Sequence, residues 1–396
     1  MGRSGGLGVV WAAVGVSTLG DGAFLAALPL AAAAVTRDPN AVAAVSAAAI
    51  APWVLVQPVA GALMDRWSHR SVMLVADFAR AGIVALAAVL VATGHVSIAV
   101  LAGVGAAMVV GQIFHDTAVQ GVIPTLAGRT SAELDRANGR VYGAETAGKQ
   151  LIGPPAGSAT FTIGHWVPFA ADAASFLVSA ALLWRLPHAP PPRHSTGSLW
   201  RAVAEGSLWL ARHRQLRTLA LLASAGNIAY HLSWATFVLL ATESSGLGLT
   251  PAAFGLMFAA YAIGGVIGGP LTARVNAELG PHRALLILAV AHAIAWPMMA
   301  VATTVWVVVP ALALVGAAQT MTTTTNVGLR QILVPADLLN RVIAAFRWIV
   351  NVPTPLAALA GGALAATYGL RAPLFAAGAV LTIAALVSAP ALVRNR

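Results

Sequence analysis

Asp21 stands between Gly20 and Gly22 inside a long apolar run, with no basic residue three or four positions away. A charged group in such a run costs about 3 kcal/mol or more at the centre of a bilayer, so it needs a partner or a task. A carboxyl group so placed is suited to taking up and releasing a proton, or to holding a cationic group. Asp116 beside His115, and Glu145 four residues before Lys149, are further proton-carrying candidates. The second pair has the favourable order and spacing for a helical ion pair. It would neutralise itself unless opened in use. Asp77 and Arg80 lie three apart, close after a loop that carries Gly61, Asp65, Arg66 and Arg70. An acid among these bases suits a charged latch that biases a conformational equilibrium by a few kcal/mol.

Other residues suit ligand binding. Arg347 lies about two turns into an apolar run and could hold an anion or pair with a carboxylate. Arg330, near the end of another run, is expected to snorkel to the interface. Phe24, Tyr230, Trp234, Tyr261 and Trp348 occupy mid-run positions suited to an apolar substrate wall. No histidine, aspartate and glutamate cluster has metal-ligand spacing, and cysteine is absent. Disulfides, thiolate catalysis and iron–sulfur clusters are thereby excluded. GGVIGG at 264–269 follows no strand, so it is not a dinucleotide fingerprint, and no phosphate-binding GxxxxGK[ST] segment occurs. The expectation is a non-enzyme without cofactor or metal.

The elements that must position these residues are membrane helices. Of 396 residues, 59% are hydrophobic and only 9% are charged. A soluble domain cannot bury that much apolar surface. The apolar runs are long and unbroken, which favours helices over a transmembrane barrel. About twelve spans fit the chain, in two halves, 1–186 and 216–396. Between them, 187–215 is a proline-rich linker with a basic amphipathic helix expected in the headgroup region. Most arginines fall in one set of loops, and the other set holds only Arg37 and Arg371. This distribution places both termini and the linker in the cytoplasm. It also assigns the net charge of +10 to topology, so nucleic acid is not an expected partner.

The halves repeat. GDGAF at 20–24 aligns with GNIAY at 226–230, so Asn227 takes the place of Asp21 and Tyr230 that of Phe24. GALMDR at 61–66 aligns with GPLTAR at 269–274, and Pro154 with Pro355. Parallel six-helix repeats are a plan of transporters with a central site.

GALMDRWSHR (61–70) resembles the signature of the loop between the second and third helices in the major facilitator superfamily. DFAR (77–80), IPTL…ELDRANGR (123–140), FAADAASFLVSAALLWRLP (169–187) and LVPADLLNRVIAAFRW (333–348) resemble one branch of it. That branch holds enterobactin-type exporters and macrolide-type efflux proteins, the transmembrane secretion effectors. GKQLIGPPAGS (148–158), with Gly148, Gly153, Pro154 and Gly157, resembles the antiporter motif of the fifth helix. Its glycines allow close helix packing and its proline bends the helix. The resemblance implies an all-α membrane protein of two pseudo-symmetric six-helix bundles in a bacterial inner membrane. It implies export of a small amphiphilic compound in exchange for protons, by a monomer. A siderophore or lipid carrier of the same fold, or a non-transporting sensor or scaffold, are the alternatives. The fourth span departs from the family pattern: GQIFHDTAVQG (111–121) stands where an arginine motif linked to proton coupling is common, and Ala273 replaces Asp65 in the repeat.

Overall fold

The computed structural model describes residues 3–57, 60, 67–127, 130–187, 199–335 and 338–393. Gly61, Asp65 and Arg66 of the expected latch lie outside the described residues. Among the described residues the chain is helical, without strands. The helices are α1 (Arg3–Val35), α2 (Pro39–Leu55), α3 (His69–Ala92), α4 (Ile98–Ala127), α5 (Ser131–Thr146), α6 (Gly153–Ile163) and α7 (Val167–Leu183). They continue as α8 (Leu199–Arg212), α9 (Arg214–Thr242), α10 (Pro251–Leu279), α11 (Pro281–Val301), α12 (Val305–Leu333), α13 (Leu339–Asn351), α14 (Thr354–Tyr368) and α15 (Ala372–Val393). The fifth of the expected spans is α5 and α6 joined by one π turn, Ala147–Ile152, and the eleventh is α13 and α14, so the helices among the described residues can be grouped into twelve spans and the linker helix α8. Many apolar side chains point outward, Trp306 at 83% exposure and Ile163 at 79%. A bilayer, which solvates apolar side chains but not free backbone groups, covers such surfaces.

Local chemistry sets the helix boundaries. Ser68 caps α3 by accepting the Ser71 N–H at 3.2 Å. Thr130 and Glu133 form a reciprocal capping box at α5. The π turn ends at Ile152, with Gly153 between it and Pro154 and Pro155. Proline lacks a donor and clashes with the carbonyl four residues back, and a wider turn relieves that crowding. Gly153 instead donates its N–H to the Gly148 carbonyl. In the eleventh span Pro353 interrupts the helix after Asn351, whose carbonyl accepts the Thr354 hydroxyl at 2.7 Å.

Two units emerge from the packing. The first comprises Met1–Arg37, Ala48–Thr196 and Leu249–Ala259. In it α1 packs along α7 and the fifth span, and α3 along α4 and α7. One end of its core is Val10, Val14, Met73, Val119 and Leu183. The second comprises Asp38–Ala47, Gly197–Gly248 and Ala260–Arg396. In it α11 packs along α12 and α15, and α9 along α14 and α15.

The linker helix has a partner within the protein. It does not stand alone as a surface helix: α8 packs against α13 within the second unit. Both helices are amphipathic, and each covers the other's apolar stripe, with Leu210, Val342 and Ala345 buried. Arg341 Nη1 donates to Glu205 Oε2 at 2.6 Å across the contact. The helices approach so closely that a Cβ at Gly206 would overlap the Arg341 backbone. Gly206→Leu is therefore expected to lift α8 from α13. Amide hydrogen exchange over 199–212 should rise by about tenfold or more, with the other helices unchanged.

Candidate functional site

The first unit gathers its charges around one buried arginine. Arg80, on α3, is 1% exposed and forms an ion pair with Asp21 of α1. Its guanidinium lies over the Phe176 ring of α7, 3.9 Å from the centroid. Asp77, one turn before it, lies 4.0 Å from Arg80 Nη1. His115 of α4 stands between two acids, its Nε2 3.6 Å from Asp77 and its Nδ1 3.6 Å from Asp116. Neither Asp77 oxygen has a hydrogen-bond partner among the described residues. Asp172 of α7 is fully buried, faces the charges of Asp21 and Arg80, and accepts from the Ser175 hydroxyl at 3.3 Å. Carboxyl groups outnumber bases in this cluster even when His115 is charged. Lys149 and Glu145 of the fifth span also interact electrostatically with Asp116 and add one charge of each sign.

This grouping differs from the expectation in three ways. Arg80 and Asp77 belong with Asp21 in the helix bundle. The described part of the latch, Arg70, donates to the carbonyls of Leu183 at 3.4 Å and Trp184 at 2.7 Å. It thereby satisfies the exposed end of α7, where free carbonyls attract a cation. Glu145 and Lys149 form no ion pair among the described residues. The π turn begins between them and rotates the i,i+4 alignment that an α-helix would provide.

The crossing of α1 with the fifth span holds this site together. At Gly153 a Cβ would overlap the backbones of Gly148, Gly22 and Leu19, and at Gly157 that of Ala23. Pro154 is buried beside them. The same stretch of α1 carries Asp21. Phe24, one turn on, meets Phe169 edge to face at 5.9 Å and is 8% exposed, so it serves packing within the unit. Beside the cluster, an apolar groove of about 930 Å³ runs between α3 and α4 from Trp67 to Ile83, and Arg80 lies in its lining.

The second unit holds the other aromatic candidates. Tyr230 stacks on Trp234 at 5.4 Å and meets Tyr261 at 5.6 Å, and Trp234 continues to Phe237 at 5.1 Å. Asn227 donates to Asn351 Oδ1 at 3.4 Å. Trp348 is 37% exposed and Arg347 is exposed. Arg330 does not snorkel. It is 8% exposed, its Nε donates to the Asn326 carbonyl at 3.2 Å, and its guanidinium lies 4.0 Å over Phe346. A ring on the facing half-helix draws it inward.

Two features were missed in the sequence. Asp172 is an acid inside an apolar run, the same signal that singled out Asp21. Gln319, Thr322 and Thr323 belong to QTMTTTTN at 319–326, a polar stretch in an otherwise apolar helix, and they line a cavity with Arg330.

Comparison with known proteins agrees with this architecture. Residues 3–395 match the transmembrane secretion effector family. The chain is 26% identical over 348 residues to the multidrug efflux pump Tap of Mycolicibacterium fortuitum, covering 84% of this chain and 82% of that one. It is 30% identical over 218 residues to Tap of Mycobacterium tuberculosis (strain ATCC 25618 / H37Rv), about half of each chain. Among solved structures, the nucleoside transporter NupG superposes with a TM-score of 0.79 at 13% identity, over 100% of both chains. A bacterial homologue of the iron transporter ferroportin, inward-facing, gives 0.77 at 16% identity over 98% of both. These structures share the fold of this chain. The chain is a multi-pass membrane transporter of the major facilitator type, not an enzyme, and it belongs to the transmembrane secretion effector family.

Proposed function

We infer that the protein exports small amphiphilic compounds from the bacterial cytoplasm or inner leaflet, in exchange for protons. The observation that carries this reading is the buried cluster around Arg80, in which Asp21, Asp77, Asp116 and Asp172 compete for one guanidinium and one imidazole. Closely coupled carboxyl groups titrate together and share protons. Arg80 can exchange partners among them as a proton or a cationic ligand arrives at Asp21. A purely structural ion pair would need only one acid. The groove between α3 and α4 supplies apolar surface beside the charges, as an amphiphile requires. Similarity to the Tap efflux pumps supports the outward direction. Glu145 and Asp116 are the further proton carriers, and Tyr230, Trp234 and Tyr261 are the aromatic wall. The arginine-rich loops support an inner-membrane topology with both termini in the cytoplasm. The working unit is a monomer.

The test is accumulation of cationic, neutral and anionic compounds in efflux-deficient cells expressing the protein, with and without a protonophore. Lowered accumulation that a protonophore abolishes is the expected result. Lowered accumulation that persists without a proton gradient would overturn proton exchange. No effect on any compound, with the protein confirmed in the membrane, would overturn export.

A further inference from the structure

We propose that the cavity of the second unit between α9, α12 and α13 is an oxyanion subsite, which takes the carboxylate or phosphate group of an amphiphilic ligand. The cavity measures about 310 Å³. Arg330 lines it from α12 and Arg347 from α13. The two guanidiniums act on each other as like charges. No acidic side chain is among the cavity's lining residues, and within the second unit Glu205 is engaged with Arg341. Arg330 Nη1 is buried and has no hydrogen-bond acceptor among the described residues. Its Nε uses a carbonyl of its own helix, and the Phe346 face shields one side of its plane.

A buried guanidinium without a counter-ion is costly to maintain. Buried Arg330, with the exposed Arg347 lining the same cavity, describes a place where the anion arrives with the ligand. Guanidinium groups recognise carboxylate and phosphate through paired N–H donors, which a halide cannot match. The neutral side chains lining the cavity add donors for the remaining oxygens: the amides of Asn227, Gln319 and Asn351, and the Thr322 hydroxyl. Leu222, Leu285 and Val350 supply apolar wall, so the bound group carries a short hydrocarbon body. The volume fits a head group with a few carbons and lies at the lower end for ligand cavities. The two units thus differ in chemistry, one rich in acids and the other presenting arginines. This inference deepens the export reading by naming a ligand class, but the site itself can be tested without transport.

The experiment is binding of hexyl phosphate and hexanoate to the purified full-length protein in neutral detergent, by calorimetry, against hexanol and hexylammonium as probes of equal chain length. Both oxyanions are expected to bind at least tenfold more tightly than hexanol. Arg330→Gln is expected to weaken hexyl phosphate at least tenfold, and Arg347→Gln severalfold. Arg283→Gln, which removes an exposed arginine outside the cavity, leaves binding unchanged. Arg347 is exposed, so its variant folds even if Arg330→Gln does not. Equal binding of hexanol and hexyl phosphate would overturn the proposal, as would wild-type binding by Arg347→Gln. Competition by phosphatidylglycerol nanodiscs would identify a lipid head group as the natural occupant, and lack of competition a soluble amphiphile. Both results retain the oxyanion chemistry. Oxyanion binding without efflux of any compound would refute the export reading alone, and efflux without oxyanion binding would refute this subsite alone.

Discussion

Asp21→Asn is expected to reduce export driven by a pH gradient to the level of cells lacking the protein, while the protein still folds. The side chain keeps its size and one acceptor oxygen, so Arg80 retains a neighbour on α1. Arg80 also keeps Asp77 at 4.0 Å, and Asp172 faces the same guanidinium, so its charge is not stranded. What Asn cannot do is bind and release a proton, and the exchange of partners around Arg80 then has no driving step. Removal of the other partner should behave differently. Arg80→Leu leaves several buried acids without their cation, and breaking a buried pair in that way costs about 3–5 kcal/mol. The two variants therefore separate coupling from stability. Thermal unfolding of the purified proteins should show Asp21→Asn near wild type and Arg80→Leu far below it. Driven export by Asp21→Asn at the wild-type rate would remove Asp21 from the coupling step.

Gly153→Leu is expected to prevent accumulation of folded protein. The crossing of α1 and the fifth span brings backbone to backbone. The position of a Cβ at residue 153 is occupied by main-chain atoms of Gly148, Gly22 and Leu19, which have no rotamer by which to give way. Inserting a side chain into a packed interior costs about 3 kcal/mol even where neighbours can adjust. Here the π turn at 147–152 must also be displaced, and with it the stretch of α1 that carries Asp21. Size-exclusion chromatography of the variant in detergent should show aggregate in place of a monodisperse peak. Gly139→Leu is the matched control, because nothing lies within 4 Å of a Cβ there and the side chain would enter open space. Similar monodispersity for both variants would mean that the crossing can open without loss of the fold.

Much of the architecture is legible in the sequence for a simple reason. In a bilayer every backbone polar group must be satisfied within its own segment, so apolar length alone specifies helices. The arginine distribution, the internal repeat and the proline at 154 are likewise one-dimensional signals. They locate the spans, the family and the bend in the fifth helix. Asp21 is legible as a candidate because a lone acid in an apolar run is costly wherever the helix packs. Asp172 carries the same signal and was absorbed into a family pattern instead.

What the sequence could not determine is which charge meets which. Asp21 and Arg80 are 59 residues apart, and Arg330 and Phe346 lie on different helices. Local spacing pointed to Glu145 with Lys149, but a π turn, imposed by two prolines just downstream, changed the angular step between them. It read the helix within 187–215 as an amphipathic helix of the headgroup region, and could not show that an equally amphipathic half-helix at 339–351 packs against it. It read Arg330 as snorkelling, because a helix end near the interface permits that, whereas the facing aromatic ring holds it inside. Helix identity depends on apolar length and backbone hydrogen bonding, which neighbours in sequence supply. Partner choice depends on helix rotation and crossing, which only tertiary packing sets.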